Sequence, residues 1–341
     1  MRRRLLHLVG SPTSEFYCDL SRLYARDCLE VSRGLAGHED VIVYVTPDGR
    51  WRFPSDLTAE AIARAEPFSL AEALARLSGL EIEMAIPQMF CLAGMTTYRS
   101  LLELLGIEYV GNRPDVMALT ADKAKAKAVV AAAGVRVPDG ELLRPGQSAS
   151  IPPPAVVKPA DADNSLGVSL VREAYQYPKA LERSFEHADR ALVESYVELG
   201  REVRCGIVVR DGELLCLPLE EYRVAGIRDH GDKILRNNVG DLELVAKDNP
   251  SVWIVDPDDP VTAVVHGAAR RCHLALGCRD YSLFDFRIDP DGQPWFIEAS
   301  LYCSFARQSV LSVMAAAAGF RTSDLLGLFL AETERVSQVA P

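Results

Sequence analysis

The feature that most constrains this fold is a rhythm in the first third of the chain. Short apolar runs alternate with segments of helical spacing. Residues 4–10, "DVIVYVTP" (40–47) and "EMAIPQMF" (83–90) read as strands. "SEFYCDLSRLYARDCLEVSRGL", "LAEALARLSG" (70–79) and "TTYRSLLELLG" (96–106) read as helices, the last with a threonine cap and a closing glycine. Strands that alternate with helices predict a parallel α/β sheet. This first unit is expected to span residues 1–118.

The pattern then changes. "TADKAKAKAVVAAAGV" (120–135) predicts a helix closed by Gly134. A Pro/Gly/Ser-rich connection (138–154) leads into the apolar strand "AVVK" (155–158), then into the polar loop of "PADADNSLGVSLV". "YQYPKALERSFEH" reads as a helix and "RALVESYVE" (190–198) as a strand, giving a small α+β unit over 119–198. In the remainder, 199–341, "REVRCGIVVRDGELLCLPLEEY" reads as strand, loop, strand. The polar segment 223–251 exceeds the roughly 12–15 residues of ordinary loops, as expected of a functional or mobile loop. A helix at 259–276, a hairpin and a helix at 309–320 follow, and residues 332–341 are expected to fray. The expected class is α/β with α+β units, in three domains.

Composition excludes several functions. The net charge of −11 and pI near 5.1 argue against nucleic acid or an anionic membrane as partner. The apolar run after "MRRR" is about five residues, short of the roughly 7–15 of a signal segment, and none reaches the roughly 18 of a membrane span. Cys18, Cys28, Cys91, Cys205, Cys216, Cys272, Cys278 and Cys303 form no CxxC and no histidine pairing at zinc spacing. That fits reduced, mostly buried thiols and a cytoplasmic location. A homodimer is the expected assembly.

The candidate chemistry begins at "DFRIDPDGQPWFIEAS" (285–300). A hairpin register with Asp285 facing Glu298, Leu283 facing Ser300 and Ile288 facing Trp295 gives two clean faces. Phe284, Phe286, Ile288, Trp295, Ile297 and Ala299 make one; Leu283, Asp285, Arg287, Phe296, Glu298 and Ser300 make the other. Opposed carboxylates with Cβ atoms about 5 Å apart repel unless a cation lies between them. Two readings stay open at this point. One is an oxygen-only site for Mg²⁺ or Mn²⁺; the other is a solvated face on which Arg287 neutralises the acids.

Only seven residues are lysine, so Lys158 at the end of an apolar strand stands out. The loop after it, "NSLGVS" (164–169), could cradle phosphate through backbone N–H groups around Gly167, or be a plain turn. Lys123 lies near the start of the helix at 120. Glu194 on a strand and Glu202 just past it could accept from an adenine amino group and ribose hydroxyls, or be solvated surface charges.

In this order and spacing, "ADKAKAKAVVAAAGVRVP", "AVVKPADADNSLGVSLV", "ALVESYVELGRE" and "FDFRIDPDGQPWFIEAS" resemble the ATP-grasp ligases of the D-alanine–D-alanine ligase type, over nearly the whole chain. The resemblance implies that ATP is bound between the central and C-terminal units. It implies ATP phosphates at Lys123 and Lys158, with Ser165 and Gly167 in the phosphate-covering loop. Adenine would sit at Glu194 through Val197 and ribose at Glu202, with Lys233 reaching in from a lid. It implies magnesium on Asp285 and Glu298, with Ser300 where the family has asparagine. Glu15 would meet the first substrate; Ser309 and Arg307 stand near the second, and Lys233, Ser165 and Arg307 are the candidate catalytic groups. Tyr17, Gln88, Tyr98, Arg99 and Arg204 are further candidates for substrate contact. Leu283 replaces the family's arginine two residues before the metal-binding Asp, and "LYCSFARQS" replaces a Pro-Gly run. "LHLVGSPTSEFYCDLSRLYARDCLE" and "PQMFCLAGMTTYRSLLELLGIEYVGN" resemble the ATP-grasp ligases that join mycosporine-glycine to an amino acid. That implies phosphorylation of a ring oxygen, displaced by an amine to give an imine. An L-amino-acid or dipeptide ligase making an amide is the alternative. A nucleotide-binding protein without catalysis is a remoter one.

Overall fold

The computed structural model describes residues 3–35, 37–162, 165–224, 226–227, 234–236, 242–244, 251–301 and 305–339. The rhythm of the first third produces a sheet of β1 (Arg3–Gly10), β2 (His38–Val45), β3 (Trp51–Arg52), β4 (Met84–Pro87) and β5 (Glu108–Tyr109). Its order is β3–β2–β1–β4–β5, parallel except where β3 runs back along β2. Helices α1 (Glu15–Arg33), α2 (Ala59–Arg64), α3 (Leu70–Ser78), α4 (Leu92–Met95) and α5 (Thr97–Leu104) connect the strands. Ser14 caps α1, and Ser69 with Glu72 closes a capping box on α3. The threonine expected to cap α5 does not: the Thr96 hydroxyl donates back to the Leu92 carbonyl at 2.7 Å. Gly10 has φ +96°, and a Cβ there would lie 2.1 Å from the Val45 carbonyl, so the exit from β1 requires glycine.

The single helix expected at 120–135 is two, α6 (Pro114–Ala121) and α7 (Lys123–Ala132). Asp122 breaks it at φ −90°, ψ 103°, and its carboxylate accepts from the N–H groups of Ala124 and Lys125, both at 3.1 Å. Lys123 therefore opens α7 rather than following a first turn. The central sheet has β6 (Gly140–Leu143), β7 (Ala155–Pro159), β8 (Ser169–Val171) and β9 (Ala191–Ser195) in the order β6–β9–β7–β8, all antiparallel. Helix α8 (Tyr177–Phe185) packs Tyr177, Ala180 and Leu181 onto Ala155 and Val157.

The third sheet is built on β10 (Arg201–Arg210), β11 (Glu213–Cys216) and β12 (Glu220–Tyr222). A separate ribbon, β13 (Ile234–Arg236) with β14 (Leu242–Leu244), precedes β15 (Val252–Ile254), β16 (Tyr281–Ile288) and β17 (Pro294–Ala299). The order is β15–β12–β10–β16–β17, with β11 on β10. Helices α9 (Pro260–Leu276), α10 (Val310–Ala317) and α11 (Thr322–Val339) complete the chain. The expected fraying of 332–341 is corrected: α11 runs to Val339, anchored by buried Leu325, Leu326 and Phe329. Its Glu332 carboxylate accepts from the backbone N–H groups of Asp211 (3.0 Å) and Gly212 (3.2 Å).

The β16–β17 register holds at the acids and slips beyond them. Asp285 pairs with Glu298 and Phe284 with Ala299, but a bulge then pairs Phe286 with Phe296 and Arg287 with Trp295. Because one residue's slip reverses sides, Phe296 joins Phe284 and Phe286 in the core. Trp295 passes to the face of Arg287, and Ile297 lines the cleft described below. Leu283 is buried in an apolar cluster with Leu5, Met84, Ile86 and Phe305, which joins the first sheet to the third. Polar contacts reinforce this junction: Gly111 N–H donates to Asp280 at 2.6 Å, and Arg279 donates to the carbonyls of Tyr109 (3.0 Å) and Gly111 (2.6 Å). No single helix among the described residues is long and apolar enough to cross a membrane.

Candidate active site

The central and third sheets face each other across a partly enclosed cleft. Lys158 lies near the end of β7, Glu194 on β9, and Lys123 opens α7. From the opposite wall come Glu202 on β10, Asp285 and Arg287 on β16, and Glu298 on β17. Ser165 and Val197 lie in the adjoining loops, and all of these residues line the cleft. Apolar Val156, Leu166, Val168, Ile227 and Ile297 make its floor and sides.

Its charges are arranged as partnered pairs. Glu194 is 2% exposed and lies between two ammonium groups, Lys158 Nζ at 2.6 Å and Lys127 Nζ at 2.8 Å. Burial alone would raise its carboxyl pKa, but the two lysines together hold it below the ordinary value. Lys127 is itself buried and donates to the Phe296 carbonyl at 3.1 Å; burial drags its ammonium down to about 8, against the pull of Glu194. Lys123 Nζ donates to the Ala162 carbonyl at 2.5 Å and lies 3.8 Å from Glu298. Arg287 spans to Glu202 (2.7 Å), the Gly226 carbonyl (2.7 Å) and the Val197 carbonyl (3.3 Å), with its guanidinium 5.2 Å from the Tyr196 ring centre.

The opposed acids are as the register predicts, but their neutralising partner is different. Arg204, directly across the ladder on β10, grips Asp285 through Nε (2.5 Å) and Nη2 (3.0 Å). Burial would depress this guanidinium, yet Asp285 raises it, so Arg204 stays charged. Asp285 is 7% exposed, which rules out a solvated face, and Arg287 belongs to Glu202 instead. Glu298 keeps 27% of its side chain open. Two carboxylates at the cleft wall, oxygen donors only, fit a hard dication such as Mg²⁺ or Mn²⁺, which would share Asp285 with Arg204.

Glu194 lines the cleft with one oxygen on each of two lysines. Gly167 lies between the lining residues Leu166 and Val168, and at φ +69° a Cβ there would meet His187 at 2.8 Å and Pro159 at 2.9 Å, so the position requires glycine. Several other expected residues lie elsewhere. Arg307 is not brought to the cleft, because its guanidinium reaches Glu30 on the exposed side of α1 at 3.2 Å. Ser309 caps α10, accepting from Ser312 N–H at 3.4 Å. Glu15 is an exposed residue at the head of α1, outside the cleft lining. Ser300 follows β17 with its N–H on the Leu283 carbonyl at 2.8 Å, half-buried near the acids. Lys233 and Cys303 fall outside the described residues. Of the remaining candidates, Arg99 is buried under the Asn112 carbonyl (2.7 Å), Gln88 bonds His7 (3.1 Å), and Tyr98 stacks on Trp51. All three support the first sheet. Arg204, a candidate for substrate contact, is the cation on Asp285. Lys127, which holds Glu194, was not singled out by sequence, although its i+4 spacing from Lys123 on one helix face was a signal.

A model of the D-Ala–D-Ala ligase C-terminus matches residues 147–331. The chain is 33% identical over 238 residues to the D-alanine–D-alanine ligase of Mycolicibacterium smegmatis, a match covering 67% of this chain and 62% of that protein. The chain thus spans less than two-thirds of the length of this relative. Among solved structures, it superposes on VanG D-Ala:D-Ser ligase from Enterococcus faecalis with a TM-score of 0.80. Identity there is 21%, over 98% of this chain and 100% of that one. A D-alanine–D-alanine ligase from Bacillus anthracis complexed with ATP gives a TM-score of 0.71 at 22% identity, over 98% and 99% of the two chains. At these identities, the structures establish the shared fold.

Proposed function

We propose that this chain, which belongs to the D-alanine–D-alanine ligase family of ATP-grasp enzymes, joins an amine to a phosphate-activated acceptor with conversion of ATP to ADP. The observation that carries this reading is the meeting of Lys123 and Lys158 with Asp285 and Glu298 in one cleft between two sheets. A triphosphate needs cations on one side and a metal bridge on the other, and catalysis of phosphoryl transfer is largely such positioning.

Lys158 and Lys123 would contact phosphate oxygens, with Glu194 holding Lys158 in place and Lys127 sharing that carboxylate. Ser165 would cover the phosphates, Glu202 would accept from the ribose, and the backbone around Val197 would read the adenine edge. Asp285 and Glu298 would hold magnesium, with Ser300 beside them; when bound, the metal supplies positive charge to the transferring phosphoryl group. The acceptor oxygen attacks the γ-phosphorus and the bond to ADP breaks. The amine nitrogen then attacks the activated carbon, phosphate leaves, and the amine gives up a proton. Walls of Val156, Ile227 and Ile297 keep water from the activated intermediate.

Amide formation between two amino acids is the first reading of the acceptor, because the named relatives are D-alanine–D-alanine ligases. Leu283 favours a second reading. It places a buried apolar side chain where that family has arginine for an acyl oxyanion, so charge developing on a ring, as with mycosporine-glycine, is also accommodated. The test is ADP release and product mass with ATP, Mg²⁺ and either amino-acid pairs or mycosporine-glycine plus amino acids. Lys158→Ala serves as control and is expected to abolish turnover. Near-normal turnover in that variant would overturn the phosphate assignment. ATP binding without ADP release from any pair would overturn the ligase reading.

A further inference from the structure

Behind the cleft, on the opposite face of β10, the fold gathers three soft ligands that are far apart in sequence. Glu202 and Arg204 point from β10 to the cleft side; Val203, Cys205 and Ile207 point to the α9 side, where they join the core. Cys216 on β11 pairs with Ile207 and so shares that side. His266 arrives from α9. The two sulfurs and a ring nitrogen of His266 all lie within 4.8 Å of one another.

We propose that Cys205, Cys216 and His266 form a binding site for a thiophilic divalent cation of the zinc class. Tetrahedral zinc with Zn–S near 2.3 Å sets ligand atoms roughly 3.8 Å apart, so closure needs shifts of about an ångström. Two thiolates give a dication a neutral site, which suits the apolar surroundings, and sulfur with imidazole discriminates against magnesium. Binding converts two thiols to thiolates and releases two protons; no oxidant is involved.

The histidine is prepared for this role. Its Nε2–H donates to the Leu217 carbonyl at 3.1 Å, fixing a neutral tautomer with the lone pair on Nδ1, as backbone carbonyls do behind metal-bound histidines. Cys216 and His266 are only partly buried, so an ion has a route in and water can complete the coordination.

A disulfide is the competing use of the pair, and strand geometry disfavours it. Cys216 stands opposite Ile207, which makes Cys205 its diagonal neighbour. Diagonal partners have Cα atoms about 7–8 Å apart, beyond the usual disulfide limit of about 6.8 Å.

This site is independent of the ligase reading, and its test needs no turnover. The full chain, reduced and in excess Mg²⁺ to occupy the carboxylate site, is titrated with Co²⁺. The expected result is a thiolate-to-cobalt charge-transfer band in the near ultraviolet, saturating at one ion per chain and bleached by Zn²⁺. Cys216→Ser and His266→Gln are each expected to lose or shift the band, while Cys278→Ser keeps it. In parallel, Zn²⁺ is expected to raise the melting temperature of the parent chain and not of Cys216→Ser. Absence of the band in the folded parent overturns the site. So does a band unchanged in both ligand variants, or one lost equally in Cys278→Ser.

Discussion

Glu194→Gln is the sharpest probe of the cleft, because it removes one buried negative charge from between two buried positive ones. The parent places Lys158 and Lys127 at 2.6 and 2.8 Å from this carboxylate. Breaking a buried pair by removing one partner costs about 3–5 kcal/mol. Part of that cost has a ceiling. Lys127 is already drawn down to about 8, so at pH 7 it can shed its proton for about 1.4 kcal/mol; the larger share falls on Lys158. The sign with pH follows from the same number. A lysine whose folded pKa is lowered costs the folded state when charged, and stability rises with pH as it discharges. In the variant Lys127 is already neutral at pH 7, whereas in the parent it discharges only through about 8. The stability gap therefore narrows by about 1.4 kcal/mol between pH 7 and about pH 9. Urea or thermal unfolding at the two pH values reads this out. ATP with Mg²⁺ should recover part of the loss, since phosphates replace the missing charge, while ADP release falls because Lys158 has lost its anchor. A gap under 1 kcal/mol at pH 7, or one that does not change with pH, would refute the triad argument.

Glu298→Gln is expected to raise the Mg²⁺ requirement for nucleotide binding by about tenfold or more, read by calorimetric titration; an unchanged requirement removes Glu298 from the metal site. Arg204→Met leaves Asp285 buried without its bidentate cation, so the variant is expected to lose about 3–5 kcal/mol without metal and to regain much of it as Mg²⁺ is added. No recovery would mean that Asp285 does not take metal. Asp280→Asn tests the junction between the first and third sheets. Burial pushes the Asp280 carboxyl up to about 6, so the folded chain holds a proton that the unfolded chain has lost. Stability then falls as pH rises from about 4 through 6, by about 3 kcal/mol in all. Asparagine keeps an acceptor for Gly111 N–H and tolerates the positive φ of 57°. The variant should be more stable than the parent at pH 7.5, with the advantage gone near pH 4.

The alternation of the first third was enough to predict a parallel sheet, because each strand's apolar run and each helix's periodicity are local signals. What escaped was set by single side chains acting at a distance. The helix expected at 120–135 breaks at Asp122 because that carboxylate caps α7 and is held by Arg190, 68 residues away, at 3.0 Å. The tail expected to fray is a helix because Leu325, Leu326 and Phe329 find a core and Glu332 finds two backbone donors on β10–β11. Neither partner is visible in a local window.

The cleft was legible in its residue types and less so in its pairings. Asp285 facing Glu298 follows from the DPDG turn and strand periodicity, and the register holds there. The cation on Asp285 could not be assigned within the hairpin, since β10 lies between this hairpin and β12, and its alternation decides which arginine faces which acid. Arg204 lands on Asp285 and Arg287 on Glu202, so the two arginines are paired crosswise between neighbouring strands. That arrangement bears on Leu283. Three ladder positions in a row on this face, Glu202–Arg287, Arg204–Asp285 and Gly206–Leu283, read as pair, pair, gap, and the gap is where the family carries arginine. The nearest guanidinium on the partner strand is Arg204, already committed to Asp285. Arg204 is thus the β10 guanidinium nearest that gap, and a dication on Asp285 would share the carboxylate with it rather than meet a free acid.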